Sequence, residues 1–175
     1  MSELLRRLFL YRHAMNGIPA AAPTIPCQLE PLTESTLPRL REVWPVFLDD
    51  MKARLERGDL CVIAIVDGRV AHYSWAQFSG QHEIRDVGQR VEVQRGHAWV
   101  YHCRTADWAK GRGIYPFVLT RILTECKARN IQSAWIYAGA ENVASRRGIE
   151  RAGFLLYKRL IAVNLFSRKI SIAHL

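Results

Sequence analysis

The sequence contains no apolar run close to the roughly 20 residues that a membrane-spanning helix needs. Its mean hydropathy of -0.08 is also too low for a polytopic membrane protein. Between Leu4 and Leu10 the apolar residues are interrupted by Arg6 and Arg7, whereas a secretory signal places its charges before an unbroken apolar core. Internal repeats and low-complexity tracts are missing as well. We therefore expect neither a transmembrane segment nor a signal peptide.

Cysteine is scarce, and no two of the four residues stand at the spacing of metal ligands; they are Cys27, Cys61, Cys103 and Cys126. Two of them lie in apolar, strand-like runs, so buried free thiols are expected and no metal site. Unpaired cysteines without a signal peptide predict a reducing, cytoplasmic location.

Acidic residues are few relative to basic ones, with 16 Asp and Glu against 25 Lys and Arg, which gives a net charge of +9. This excess predicts an acidic partner. Nucleotide phosphates, an acidic carrier protein, nucleic acid and anionic lipid all qualify, and charge alone does not choose among them. A chain of 175 residues fits one domain.

The order of predicted elements indicates an α/β or α+β sheet domain with helices on both faces. Residues 1–26 end in a Pro- and Ala-rich run and are interpreted as an N-terminal extension or linker, which leaves 27–175 as the domain. Asp67-Gly68 predicts a hairpin turn. Strands are predicted at 27–32, 60–66, 69–78, 91–93, 97–105, 133–137 and 154–166, and helices at 36–44, 46–57, 114–126 and 142–153.

Two glycines stand between a predicted strand and a predicted helix, in Lys110-Gly111-Arg112-Gly113-Ile114-Tyr115. Glycine lets the backbone approach an anion closely, and the first N–H groups of the helix point at it. Lys110 and Arg112 add positive charge, so a pyrophosphate is the natural ligand. The alternative is a simple tight turn. The segment is not a P-loop, which needs four residues between its glycines and a following Lys-Ser/Thr, and Pro116 stands where the dinucleotide fingerprint has its last glycine.

A second segment begins at Asn142 and Ser145 and ends in Arg151-Ala152-Gly153-Phe154, which on its own indicates only a capped helix. Together the two segments resemble the GNAT acetyltransferase superfamily over about residues 31–166. Its first motif, Arg/Gln-x-x-Gly-x-Gly/Ala, corresponds to Lys110-x-x-Gly113-x-Tyr115. Its second motif, Asn-x-x-Ser/Ala followed by Lys/Arg-x-Gly-Phe, corresponds to Asn142-x-x-Ser145 followed by Arg151-x-Gly153-Phe154. Two residues depart from the first motif: Lys110 keeps the charge of the usual arginine but not its planar fork, and Tyr115 replaces a small residue.

The resemblance implies a mixed, mostly antiparallel sheet with two splayed parallel strands and helices on both faces. It further implies an N-acyltransferase that uses acetyl-CoA or another acyl-CoA and acts on a small-molecule amine by direct attack in a ternary complex. The donor would lie between the strands 101–105 and 133–137, with a backbone N–H near Cys103 at the oxyanion. The implied donor-binding residues are Cys103, Arg104, Thr105, Lys110, Gly111, Arg112, Gly113, Ile114, Tyr115, Asn142 and Ser145.

The catalytic residues are harder to assign, and the candidates are His102, Tyr101 and Tyr157. Bases in the family occupy positions that correspond to Trp99 and Tyr101, and neither is a good base. His102 has the right chemistry, but strict alternation points it to the opposite face unless a bulge turns it inward. The tyrosine that acts as general acid in the family corresponds to Ile149, so either Tyr157, Tyr137 or water substitutes for it or the enzyme needs no general acid. A nucleophilic role for Cys103 is disfavoured, because no His-Asp partner pattern is identifiable.

Other functions stay open beside this one. The positive charge would also suit a fatty acyl group delivered by an acidic acyl carrier protein. A protein that binds coenzyme A without transfer is another possibility, motivated by Ile149 and the missing carboxylate on the strand at 97–105. Specific nucleic-acid binding is disfavoured because the arginines are scattered. The acceptor should be selected by residues 36–57 and 79–96, with Trp44, Phe47, Trp75 and Trp99 as candidate linings. The oligomeric state is left as monomer or homodimer.

Overall fold

The computed structural model describes residues 5–165 and 168–174. Most predicted strands and helices are present close to their expected bounds. The strands are β1 (Leu5–His13), β2 (Gln28–Pro31), β3 (Leu60–Val66), β4 (Arg69–Gln77), β5 (Gln81–Ile84), β6 (Gln89–Glu92), β7 (His97–Thr105), β8 (Ser133–Gly139), β9 (Leu155–Leu165) and β10 (Arg168–His174). The helices are α1 (Leu48–Glu56), α2 (Ile114–Ala128) and α3 (Val143–Arg151), and short 3₁₀ helices span Leu37–Glu42 and Asp107–Ala109.

One eight-stranded sheet forms the centre of the fold, in the order β10-β9-β1-β8-β7-β4-β3-β2. Neighbouring strands are antiparallel except for β7 and β8, which run parallel. This pair is hydrogen-bonded only from His97/Ser133 to Trp99/Trp135, and both strands continue beyond that point without pairing each other. The splayed parallel strands and the mostly antiparallel sheet that the resemblance implied are therefore confirmed.

Helices cover both faces, as expected. On the first face, α2 and α3 pack on small and branched sheet residues such as Ala98, Val100 and Ile136. On the second face, the 3₁₀ helix at Leu37–Glu42 and α1 cover Ile63, Tyr73 and Trp75. Pro38 near the start of the 3₁₀ segment and Pro45 after it restrict it to one short helix where a longer one was predicted at 36–44.

The β5–β6 hairpin covers the rest of the second face and forms a small sheet of its own. Ile84, Val87 and Val93 anchor it against Leu8 and Trp99. The sequence predicted a short strand only at 91–93, because the polar residues of β5 carry no strand pattern. The apolar anchors make the hairpin part of the core.

The prediction of a linker over 1–26 is wrong for Leu5–His13, which forms β1 in the interior of the sheet. This strand pairs with β8 on one side and β9 on the other, so that Leu8 lies opposite both Gly139 and Leu160. Its arginines broke the apolar pattern, but Arg6 and Arg7 are exposed while Leu8 and Tyr11 are buried. The final strand is likewise followed by β10, which the sequence did not predict.

Residues 14–27 then lie on the face of α2 and α3. A Cβ atom added at Gly153 would lie 2.8 Å from Cδ of Pro19, and one added at Gly113 would lie 3.1 Å from the Ala22 carbonyl oxygen. The Thr24 N–H also donates to the Arg112 carbonyl at 2.9 Å. Residues 14–27 therefore pack against the glycine loop and stabilise its position. Among the described residues, no helix is long and apolar enough to cross a membrane.

Candidate active site

A cavity of about 2050 Å³ opens where β7 and β8 diverge. One part is lined by the glycine loop, the splayed strands and the start of α3, and the other by α1 and the β5–β6 hairpin on the second face of the sheet. All of the implied donor-binding residues line it, together with Tyr101, His102 and Tyr137. Tyr157 does not: it lies half-exposed on β9, with its ring 5.0 Å from that of Trp135.

The glycine loop presents a row of backbone donors. Gly111 and Gly113 have φ of +75° and +73°, a conformation that costs glycine little, and α2 begins directly afterwards at Ile114. In the described part of the chain, the N–H groups from Gly111 to Tyr115 donate to no protein acceptor. Unpaired N–H groups at a helix start form a site for an anion. The Lys110 ammonium lies beside it, 2.6 Å from the Asp107 carboxylate.

The start of α3 forms the neighbouring wall. Asn142 caps the helix, since its Oδ1 accepts from the Ser145 N–H at 3.0 Å. Both residues also line the cavity, so the capping role and a donor-binding role are compatible. Ile149, one turn further on, is fully buried in the core and offers no proton donor to the cavity.

Tyr115, the departure from the first motif, fits because α3 has a glycine opposite it. A Cβ atom at Gly148 would lie 2.5 Å from Tyr115 Cδ1. The Tyr115 ring also lies 5.3 Å from that of His72. Burial raises the pKa of the Tyr115 phenol and Cys103 raises it further, whereas a hydrogen bond with Ser145 lowers it; the net effect is a raised pKa, so the hydroxyl stays protonated.

A β-bulge on β7 sets the orientation of His102. The residue has φ of +48°, and the register with β4 shifts between Tyr73 and Trp75. As a result His102 lies on the same face as Tyr101: Arg54 Nη1 lies 2.7 Å from His102 Nδ1, and the His102 ring packs 5.5 Å from Tyr73. Strict alternation therefore fails here, and the bulge turns His102 inward.

His102 nevertheless has no free lone pair. Arg54 is always a donor, so Nδ1 must accept and the proton of the neutral ring lies on Nε2. Burial, together with the charges of Arg54 and Arg104, lowers the pKa of His102 to about 3. The ring is thus neutral, with its basic nitrogen already used.

Tyr101 is held by a buried carboxylate that sequence reasoning missed. Its hydroxyl donates to Asp59 Oδ2 at 2.5 Å, and Arg57 donates to both oxygens of the same carboxylate. Burial, reinforced by Asp59, raises the pKa of the Tyr101 phenol. The group is therefore a fixed hydrogen-bond donor and a poor acid. Asp59 lies in the short connection between α1 and β3, and nothing in its local sequence marks it as buried.

Cys103 points the other way, toward the core of α2 and α3. Burial raises the pKa of its thiol to about 11, so it is protonated near neutral pH and a poor nucleophile. All four cysteines are free. Among the described residues, no three His, Cys, Asp or Glu side chains group as a metal ion would need.

The similarity of this chain to known proteins is detected in its structure and not in its sequence. No protein-family model matches the sequence, and no curated protein matches it either. An acetyltransferase of the GNAT family from Colwellia psychrerythraea superposes with a TM-score of 0.68 at 16% identity, over 89% of this chain and 55% of that one. The ribosomal-protein-alanine N-acetyltransferase of Brucella melitensis gives 0.57 at 18% identity, over 83% and 96%.

A protein from Clostridium acetobutylicum, described as a predicted acetyltransferase with acetyl-CoA, gives a TM-score of 0.53 at 15% identity, over 75% of this chain and 92% of that one. The chain thus spans little more than half of the Colwellia protein but nearly all of the other two. At these sequence identities the superpositions show a shared backbone fold. The chain has the fold of the GNAT acetyltransferases.

Proposed function

We propose that this protein is an acyl-CoA-dependent N-acyltransferase that transfers an acetyl group to a small-molecule amine. The observation that carries the proposal is the joint presence, in one cavity, of a glycine loop with unpaired N–H groups and the unpaired edges of two splayed parallel strands. The first feature suits a pyrophosphate and the second suits an extended chain with amide groups, and coenzyme A contains both.

The donor's pyrophosphate would accept hydrogen bonds from the loop Gly111 to Tyr115, with Lys110 and Arg112 adding charge. Its pantetheine would lie along Tyr101 to Thr105, where β7 no longer pairs with β8, and its amides would pair with that free strand edge. Asn142 and Ser145 would border the same arm. The acetyl-CoA of the Clostridium structure supports this choice of donor.

The reaction is a direct attack on the thioester. The amine nitrogen bonds to the carbonyl carbon, the carbon–sulfur bond breaks, and coenzyme A leaves as a thiolate that takes a proton. A backbone N–H beside the His102 bulge would stabilise the oxyanion. Because the amine must lose a proton on the way, a base is required. Reduced thiols throughout the described chain fit the cytoplasmic location expected from the sequence.

The test of donor binding is calorimetric titration with acetyl-CoA of the native protein, Arg112→Glu and Arg41→Glu. The two variants change charge identically, but Arg112 lines the cavity and Arg41 is an exposed residue of the 3₁₀ helix outside it. Loss of a charge-assisted contact of about 1.5–3 kcal/mol should weaken binding by roughly tenfold or more in Arg112→Glu only. Equal affinity of all three proteins would contradict the proposed loop. Turnover is then followed by thiol release with a panel of primary amines.

A second candidate donor is an acyl group on an acidic carrier protein. The net charge of +9 favours it, as do the arginines at the cavity, among them Arg6, Arg54, Arg57 and Arg90. If acetyl-CoA fails to bind while an acyl carrier protein donates to an amine, this alternative replaces the first. Donor binding without turnover of any amine would instead support a coenzyme A-binding protein that does not catalyse transfer.

A further inference from the structure

The β5–β6 hairpin places a histidine over the part of β7 that faces the acceptor side of the cavity. The His82 ring stacks on Trp99, with ring centroids 4.8 Å apart and planes 17° apart, and lies edge-on to Tyr101 at 5.3 Å. It is 3% exposed and lines the cavity. Because Ile84, Val87 and Val93 anchor the hairpin in the core, the ring is held in one position.

The hydrogen bonds of Gln77 determine which nitrogen of His82 carries the proton. Gln77 Nε2 donates to the carbonyls of Ser79 at 2.8 Å and Gln81 at 3.1 Å, which uses both amide hydrogens. The Gln77 Oε1 atom therefore faces His82 Nδ1, at 3.0 Å, and an amide oxygen only accepts. It follows that Nδ1 is the protonated nitrogen and that Nε2 carries the lone pair.

This lone pair has no hydrogen-bond partner in the described part of the chain, although the Nε2 atom is buried. Buried acceptors are nearly always paired, and an exception calls for an explanation such as a ligand or a catalytic role. His102 provides the contrast within the same cavity, since Arg54 occupies its basic nitrogen. Of these two histidines, His82 alone has a lone pair that is free to take a proton.

The charges around His82 suit a ring that is neutral before the reaction and gains a proton during it. Burial lowers its pKa to about 4, so Nε2 is unprotonated at neutral pH. The groups that act on it are Asp59 and Glu83, which favour the protonated form, and Arg57 and Arg54, which oppose it. The Asp59 carboxylate contributes the largest of these charge effects, so it would stabilise a transient imidazolium.

We propose that His82 is the general base of the transferase. As the amine nitrogen bonds to the thioester carbon, its proton passes to His82 Nε2, while the electron pair of the broken carbon–sulfur bond leaves on sulfur. The imidazolium then returns its proton to water, and the coenzyme A thiolate takes one from water. Gln77 is the positioning residue that fixes the tautomer. This assignment rests on the proposed function.

The kinetic test compares His82→Gln with His102→Gln, which makes the same change at another histidine that lines the cavity. With acetyl-CoA and the best amine of the panel, His82→Gln should lower kcat by roughly 10²-fold or more, because general bases contribute about that much. Acetyl-CoA affinity by calorimetry should be unchanged. Added imidazole should restore part of the activity to His82→Ala. Full activity of a folded His82→Gln would overturn the assignment while leaving the transferase intact.

A measurement on the native protein is independent of the acceptor and of any folding defect. Long-range ¹H–¹⁵N correlation of the imidazole nitrogens reports the tautomer of each histidine. We expect the proton of His82 on Nδ1 and that of His102 on Nε2, with Gln77→Ala shifting His82 toward a mixture. A proton on Nε2 of His82 would refute the proposal. If the native protein binds acetyl-CoA but acetylates no amine, the transferase and this role for His82 are both refuted.

Discussion

Lowering the pH from 7.5 to 5 should destabilise this protein strongly, because it buries neutral histidines. Burial lowers the pKa of His72 to about 3 and that of His82 to about 4, from an ordinary value of 6.5. In the unfolded chain both rings take up a proton below pH 6.5, whereas in the folded protein they do not. Their contribution to stability is therefore complete above pH 6.5 and is lost as the pH falls toward their native values.

The magnitude follows from the gap between the unfolded pKa and the working pH. At pH 5 each unfolded ring lies about 1.5 pH units below its pKa, and one unit corresponds to about 1.4 kcal/mol. Each histidine then lowers the free energy of unfolding by about 2 kcal/mol, and the pair by about 4 kcal/mol. His102, more exposed than the other two, acts in the same direction. Total stabilities of domains are about 5–15 kcal/mol, so this loss is large.

The assay is urea unfolding at both pH values for the native protein, His72→Gln and His82→Gln. His72 lies between two hydroxyls, with Nδ1 2.7 Å from Thr105 Oγ1 and Nε2 2.7 Å from Ser74 Oγ, so its replacement lowers stability at every pH. Separately from this loss, each variant should reduce the difference between the free energies of unfolding at pH 7.5 and pH 5 by about 2 kcal/mol. A difference that stays as large as in the native protein would refute burial of neutral rings at these positions.

Three further outcomes are expected. Tyr101→Phe should cost about 1.5–3 kcal/mol in thermal unfolding, because the Asp59 carboxylate loses a hydrogen bond, whereas Tyr157→Phe on the surface should cost almost nothing. Gly148→Ala should destabilise by about 1–2 kcal/mol in urea, and the same change in a Tyr115→Ala background should stabilise, since the three atoms nearest to the new methyl group all belong to the Tyr115 ring. A chain that begins at Ala14 should lose its cooperative unfolding transition by circular dichroism, because β1 pairs with β8 and β9; an unchanged transition would mean that β1 is dispensable.

The glycine loop and the capped helix were predictable because their signals are local. Gly111 and Gly113 have the positive φ that only glycine adopts cheaply, and Asn142 caps its helix through a hydrogen bond to Ser145, three residues away. Strand β7 was equally clear, since its aromatic and branched residues are typical of a buried strand. These local signals were enough to identify both motifs, and the two motifs together predicted the fold.

The parts that the sequence did not predict depend on distant partners. Strand β1 pairs with residues more than 120 positions away, and its arginines conceal the apolar positions when the strand is considered alone. Asp59 is buried because Tyr101 and Arg57 bond to it, and His82 owes its tautomer to Gln77 on another strand. No local pattern encodes such contacts, so the glycine loop and the capped helix could be predicted and the surroundings of Asp59 and His82 could not.

The unusual residue of the first motif shows how such a departure is accommodated. Tyr115 stands where the resemblance implies a small residue. A larger side chain at this position would collide with α3 unless the facing residue of α3 were small. Gly148 supplies that space, because any Cβ atom there would overlap the Tyr115 ring. The exchange also places a protonated phenol beside Cys103 and Ser145, in the part of the cavity that the glycine loop lines, whereas Ile149 has no proton to give. The departure from the motif therefore changes which helix presents a hydroxyl to the proposed donor site and leaves the fold unchanged.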